Sequence, residues 1–257
     1  MHPLWIWMPG RYEPLRVIKS ITPYQLPQAR SDNENTLIQQ GNMCTEMAKK
    51  DGKKAAEPEP LRLFYIFYNQ ERWDNWVKTL KDSSFDVDPK SEEMPEGFRV
   101  LDSFSVDITL EVLKIIKLFQ NKRFSKGEAL DKLGQVELIV MSSAPDEDLA
   151  EIIEILQLPK LVMFASCRKY LEGKYEKEIK TLVKKGKDLI EKDMEQALDI
   201  AANIGASVLD GAACCGKYVK DDIESPTLFD EWLIECERMS EAMASLKNFD
   251  EGVGDED

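Results

Sequence analysis

Apolar residues recur at intervals of three and four along most of the chain after about residue 105, and this spacing restricts the fold more than any other feature. The first series is Ile108, Val112, Ile115, Ile116 and Phe119. Similar series follow through residues 149–170, 179–204 and 229–246. Because this spacing places side chains on one face of an α-helix, it predicts a mainly α-helical bundle of six or seven helices.

Residues that favour helix N-termini divide these stretches. Ser125, followed by Glu128, fits a capping box, in which each residue binds the backbone N–H of the other. The other predicted helix starts are Asn69, Ser105, Pro145, Pro159 and the pair Ser225-Pro226. No proline lies between Glu176 and Ile204, and this stretch predicts one helix of about thirty residues.

Two short apolar and aromatic runs near the start of the folded part fit buried strands better than helices. They are Leu61–Tyr68 and Phe98–Phe104, separated by the helix that starts at Asn69 and by an acidic loop with two prolines. We therefore expect a small two-stranded β element beside the helical bundle.

Composition and charge divide the chain into three parts. Residues 1–46 carry no net charge, so the whole excess of 48 acidic over 34 basic residues lies after them. We expect a flexible extension over residues 1–60, with Met47 as a natural start, a single helical domain over 61–249, and an acidic, disordered tail over 250–257. The alternative for residues 1–46 is a docking arm that uses Trp5 and Trp7.

The formal net charge of −14 disfavours binding to nucleic acid or to an anionic membrane surface. No apolar run has the roughly 18 residues that span a bilayer. The odd count of five cysteines is typical of free thiols in a reducing cytoplasm. The only histidine, His2, is at the N-terminus, which excludes most hydrolase triads and histidine metal sites. We expect no cofactor and no metal.

Vicinal cysteines form one candidate site. Cys214 and Cys215 lie within Gly211–Lys217, which has the letter spacing of a phosphate-binding loop, but the next residue is Tyr218 rather than the Ser or Thr that holds magnesium. With Cys167 and Cys236 the pair could also form a four-thiolate metal site or a redox switch. Burial of the cysteines as small hydrophobes fits their irregular spacing better.

An aromatic cluster forms the second candidate site. Its members are Phe64, Tyr65, Phe67, Tyr68, Trp73 and Trp76. Such a cluster lines a ligand pocket, presents an interface hot spot, or simply fills the core. We expect Trp73 and Trp76 to face inward, with Trp76 the deeper of the two. The candidate ligand or partner contacts are thus Tyr68, Trp73, Trp76, Cys214 and Cys215.

Four lysines share one helical stripe. Lys177, Lys180, Lys184 and Lys187 could meet an acidic partner or phosphates. Acidic residues nearby, Glu176, Glu178, Asp188 and Glu191, also fit an ordinary solvated surface of mixed charge.

Three segments carry a resemblance to a known family. These are Phe67-Tyr68-Asn69-Gln70-Glu71-Arg72-Trp73-Asp74-Asn75-Trp76, Arg99-Val100-Leu101-Asp102-Ser103-Phe104-Ser105 and Leu113-Lys114-Ile115-Ile116. They resemble an uncharacterised domain family of methanogenic archaea over roughly residues 61–250. The resemblance implies a cytosolic archaeal protein and implies no activity.

The preferred functional hypothesis is a non-catalytic accessory or regulatory protein that binds another protein, with homo-oligomerisation through helix packing also open. The alternative is a small-molecule-binding protein or an enzyme that uses the aromatic cluster or the Cys214/Cys215 pair, with carboxylates for acid–base steps.

Overall fold

The structure, a computed structural model, describes residues 67–86, 93–144, 146–213, 218 and 226–246. Seven α-helices and one short 3₁₀ turn lie within these residues. In chain order the helices are α1 (Gln70–Asp82), α2 (Glu96–Gln120), α3 (Lys126–Val140), α4 (Ala150–Glu172), α5 (Ile179–Leu189), α6 (Met194–Leu209) and α7 (Leu228–Ser245), and the 3₁₀ turn Glu147–Leu149 precedes α4. The expected helical bundle of six or seven helices is confirmed.

Helix α6 occupies the centre of the packing. Every residue from Ile200 to Leu209 is buried, because α4, α5 and α7 all pack on this helix. A helix that is buried all round needs small side chains where its neighbours approach. Gly205 is the closest such point: a Cβ atom there would lie 2.1 Å from Ser166 Oγ on α4 and 3.2 Å from Cys236 Sγ on α7.

Polar side chains attach the neighbouring segments to α6. The Asn203 side-chain oxygen accepts a hydrogen bond from the backbone N–H of Glu176 at 3.1 Å, and the Ser207 hydroxyl donates to the Glu176 carbonyl at 2.7 Å. At the end of the helix, Gln120 Nε2 donates to the Leu209 carbonyl at 3.2 Å. These bonds fix the α4–α5 loop and the end of α2 against the central helix.

The two-stranded β element is not found in the described residues. Phe98–Phe104 lies inside α2, where Phe98 packs edge-on against Phe85 at 5.3 Å and Phe104 is fully buried. Of Leu61–Tyr68 only Phe67 and Tyr68 are described, and both are irregular. A short apolar run does not distinguish a strand from the start of a buried helix, and here tertiary packing selects the helix.

The predicted start of α2 was also wrong. Ser105 is buried in the middle of α2, and its backbone carbonyl accepts from the Thr109 hydroxyl at 2.9 Å.

Pro159 does not begin a helix. It lies inside α4, where it has no N–H for the carbonyl of Ile155. Leu158 and Lys160 on either side are buried, and the helix continues through this position.

The single long helix predicted from Glu176 is two helices. Asp193 ends the connection between them and caps α6, because its side chain accepts from the backbone N–H of Gln196 at 2.9 Å. Two separate helices, the short α5 with one buried side and the largely buried α6, thus replace the single long helix.

The local caps were predicted more accurately. The Asn69 side chain caps α1, and Ser125 and Glu128 form the expected capping box at α3. Ser225 and Pro145 lie outside the described residues. Pro226, predicted as the first helical residue, is not helical: α7 begins at Leu228, with a capping box of Thr227 and Asp230.

Residues 1–60, including Trp5, Trp7 and Met47, and the tail 250–257 lie outside the described residues, so the three-part division of the chain stays a prediction. Among the described helices, none has a stretch long and apolar enough to cross a lipid bilayer.

Replacing Gly205 with alanine tests the close approach of the helices around α6. The added methyl group must displace Ser166, so we expect the free energy of unfolding to fall by about 1–3 kcal/mol. Gly134→Ala on α3 is the matched control, because nothing lies within 4 Å of a Cβ there; it should raise the free energy of unfolding by up to about 1 kcal/mol. Equal effects of the two substitutions in urea unfolding would contradict the packing described here.

Candidate functional site

Helix α1 and the residue Tyr68 just before it bring three of the sequence candidates to the surface of α2. Asn69 fixes its first turn by accepting from the backbone N–H of Arg72 at 2.9 Å. Arg72 and Trp76 are four residues apart and therefore share one edge of the helix. We call the residues gathered where this edge meets α2 the α1–α2 cluster; they are Tyr68, Arg72, Trp73, Trp76, Phe104, Asp107 and Glu111.

Asp107 is the anchor of the α1–α2 cluster. Its Oδ2 accepts from Arg72 Nε at 2.9 Å and from the Trp76 indole N–H at 2.7 Å. Arg72 Nη2 contacts the other carboxylate oxygen, so the guanidinium binds Asp107 through two nitrogens. Such a two-point contact fixes the planes of both groups and holds the indole in one orientation.

A second carboxylate extends the charge network along α2. Glu111 lies 3.2 Å from Arg72 Nη1 and accepts from Lys114 Nζ at 2.6 Å. Lys114 also lies 5.2 Å from the centre of the Phe67 ring, and Lys132 from α3 lies 5.4 Å from the same ring. The carboxylates of Asp107 and Glu111 are thus paired with Arg72 and Lys114. The Phe67 ring lies within cation–π distance of the lysine ammonium groups.

The two tryptophans have different environments. Trp73 is 1% exposed and tilts against Phe104 at 5.1 Å. Trp76 stacks flat on the same ring at 5.2 Å but is only partly buried. Both face inward as expected, but their predicted order was wrong, since Trp73 is the deeper one. Trp73 belongs to the core and Trp76 to the edge of the surface.

Tyr68 is buried beneath this edge. Its ring lies 5.5 Å from the Arg72 guanidinium carbon, and its hydroxyl has no hydrogen-bond partner among the described residues. Burial, with the negative charge of Asp107 added, raises the pKa of Tyr68 well above its ordinary value. The hydroxyl therefore stays protonated at neutral pH.

An exposed apolar side chain adjoins the α1–α2 cluster. Val106 directly precedes Asp107 on α2 and is 48% exposed. The only other large apolar side chain exposed to this degree among the described residues is Leu138 on α3, at 60%. Arg72 itself keeps 37% of its side chain in solvent. Arg72 and Trp76 are partly exposed, and the exposed Val106 lies next to Asp107 in the sequence of α2; we call these three residues the α1–α2 face.

The cysteine candidates are not brought into this site. Cys214 and Cys215 lie outside the described residues. Cys167 and Cys236 are buried free thiols, and burial strongly raises the pKa of Cys167. Within the described ranges, no three potential ligands among His, Cys, Asp and Glu come together to hold a metal ion. The metal and redox hypotheses stay untested predictions.

A second polar cluster, which sequence reasoning missed, lies in the core. Lys160 on α4 and Glu235 on α7 are both fully buried, and Lys160 Nζ donates to Glu235 Oε1 at 2.6 Å and to the Thr109 hydroxyl of α2 at 2.7 Å. Burial lowers the pKa of Lys160, and the charge of Glu235 opposes that shift. This contact joins three helices, and removing one partner of such a pair typically destabilises a fold by about 3–5 kcal/mol.

Glu231, one turn before Glu235 on α7, shares the low-dielectric surroundings. Its Oε1 is out of solvent and has no hydrogen-bond partner among the described residues. Burial raises the pKa of Glu231 to about 7, although Arg238 opposes the shift. The folded protein therefore binds this proton more tightly than the unfolded chain does.

The missed residues differ in how visible they are in the sequence. Lys160 is a lone cation within the apolar run from Leu156 to Phe164, a pattern that indicates a buried ionic partner. Arg72 and Asp107 are 35 residues apart, and no periodicity connects them. Only the folded chain reveals that pair.

Replacing Glu231 with glutamine should change how stability depends on pH. The folded pKa lies above the ordinary value of 4.5, so wild type loses stability as the pH rises from about 4.5 to about 7. The variant lacks this loss and should be more stable at pH 8 by about 1–3 kcal/mol, with little difference at pH 4. Denaturant unfolding across this range measures it, and Glu237→Gln controls for the loss of one negative charge on α7. A constant difference across the range would contradict the buried state of Glu231.

Comparison with known proteins places the chain in a family without an assigned activity. No curated protein and no solved structure matches the chain. One family description matches residues 66–252, which contain the α1–α2 cluster and all seven helices. The chain thus belongs to the family described as uncharacterized protein conserved in archaea (DUF2150).

Proposed function

We propose that this protein is a non-catalytic accessory protein that binds another protein through the face formed by Arg72, Trp76 and Val106. The observation that carries the proposal is the fixed, partly exposed Trp76, whose indole is hydrogen-bonded to Asp107 at 2.7 Å and stacked on Phe104. Tryptophan and arginine dominate the energetics of protein interfaces.

The rigidity of this face supports a binding role. The side chains of Arg72 and Trp76 both donate hydrogen bonds to Asp107. Asp107 belongs to α2, a helix of 25 residues whose inner side is buried in the core. A partner that docks here meets side chains already held in one orientation. Less conformational entropy is then lost on association, which favours affinity.

The charge arrangement also supports binding rather than reaction at this face. Arg72 contacts both Asp107 and Glu111, and Glu111 in turn contacts Lys114. Each carboxylate is held by a cation, so the groups position the aromatic edge. An apolar centre beside a fixed ionic rim is the usual anatomy of a protein interface.

Substitution at Val106 tests the proposal with little risk to the fold. Val106→Asp places a charge on a side chain that is already 48% exposed, so stability should change by no more than about 0.5 kcal/mol. Full-length wild type and variant, tagged and expressed in the native cell, are purified under identical conditions, and the co-purifying proteins are quantified by mass spectrometry. We expect one partner to be enriched with wild type and reduced at least about tenfold with Val106→Asp, which corresponds to a loss of about 1.4 kcal/mol.

Leu138→Asp is the matched control. It introduces the same change at the other strongly exposed apolar side chain, which lies on α3, and it should retain the partner. Retention of the partner by Val106→Asp would contradict the α1–α2 face as the docking surface. Failure of any protein to co-purify with wild type would contradict the binding function itself.

A further inference from the structure

Helix α5 carries a stripe of positive charge on a chain of net charge −14. The stripe consists of Lys177, just before the helix, and Lys180, Lys184 and Lys187; we call it the α5 lysine strip. Within the helix, intervals of four and three residues place Lys180, Lys184 and Lys187 on one side. Segment 174–192 contains seven lysines and four acidic residues, whereas acidic residues outnumber basic ones in the whole chain.

The two ends of the strip attach α5 to the rest of the domain. Lys177 forms an ion pair with Asp210 at 2.7 Å, and Lys187 forms one with the buried Asp230 of α7, also at 2.7 Å. Beneath Lys187, Gly186 packs so closely on Phe229 that a Cβ atom would lie 1.9 Å from the ring. Because α5 has only 11 residues, it depends on this docking to remain helical.

The centre of the strip is different. Lys180 and Lys184 are exposed and form no hydrogen bond or ion pair with a described residue. They are four residues apart, a spacing at which like charges on a helix repel each other. The nearby acids Glu178 and Asp188 form no ion pair with either lysine. The structure thus holds two repelling charges in place on a docked helix.

We infer that the α5 lysine strip binds an acidic segment of a partner protein, whose carboxylates pair with Lys180 and Lys184. Charge complementarity identifies the occupant, because a short acidic segment can contact the positively charged lysines without approaching the negative surface around them. An extended polyanion such as nucleic acid also meets the field of a chain with 14 excess negative charges, which opposes its approach. Glutamates at helical spacing match the lysine spacing, and bringing them close relieves the repulsion within the strip.

This surface is separate from the α1–α2 face, and the inference does not rest on the function proposed for that face.

Binding of a defined peptide to the full-length protein tests the inference. The probe is a fluorescein-labelled helical peptide whose glutamates repeat at the spacing of the lysines. Its binding is measured by fluorescence anisotropy at low and at physiological ionic strength. We expect binding that weakens with salt. The double variant Lys180→Gln, Lys184→Gln should bind about tenfold more weakly, as expected for the loss of two ion pairs.

The control variant Lys78→Gln, Lys126→Gln removes two exposed lysines from α1 and α3 and gives the same net charge. It should bind within about twofold of wild type, and so should Val106→Asp, which separates this test from that of the proposed function. Circular dichroism confirms that each variant is folded. Equal binding by the two lysine variants, equal binding of a peptide with glutamine in place of glutamate, or tighter binding of single-stranded oligothymidine would each overturn the inference.

Discussion

The fold depends on one constraint: the second half of α6 has no side that faces solvent. Residues Ile200–Leu209 are all buried, so other helices must surround this segment. The small side chains of α6 make this possible, and Gly205 permits an approach that a single methyl group would prevent. The positions of α4, α5 and α7 follow from this shared contact, and α2 joins them through Gln120 and the Leu209 carbonyl. The two surfaces proposed for binding are carried by helices outside this centre.

Buried polar contacts add orientation to that packing. Dispersion and apolar burial hold helices together but tolerate rotation and sliding, whereas a buried ion pair is favourable only in one geometry. Lys160, Glu235 and Thr109 connect α4, α7 and α2 at one buried point. Helix α2 then presents Asp107 outward at a fixed position, where it orients Arg72 and Trp76. The surface chemistry is in this way connected to the core through a single long helix.

Sequence reasoning succeeded where the determinants were local. Asn69 and the Ser125–Glu128 box lie within three residues of the groups they bind, and helical periodicity identified the fold class. It failed where distant contacts decide the outcome, as in the predicted strand Phe98–Phe104, which is helical because it packs against Phe85 and the tryptophans of α1. Asp193 with Gln196 had the local signal of a cap, but the apolar pattern that continues across it favoured a longer helix.

The same division holds for the candidate site. The aromatic residues Tyr68, Trp73 and Trp76 could be selected from composition alone, because they form the densest aromatic stretch of the chain. The order in which Trp73 and Trp76 are buried could not be predicted, since it depends on which side of α1 packs on Phe104. Asp107, the residue that orients the face, is one acidic residue among 48, and only its contacts distinguish it.

Native-state hydrogen exchange of the full-length protein tests most directly whether α6 organises the fold. Amides of a helix buried on all sides exchange only when the whole domain unfolds, while those of a peripheral helix exchange through local opening. We expect the amides of Ile204–Leu209 to exchange last, with a free energy equal to that of global unfolding, and the amides of α1 to exchange earlier. Exchange of α6 ahead of α1 would contradict the central place of this helix.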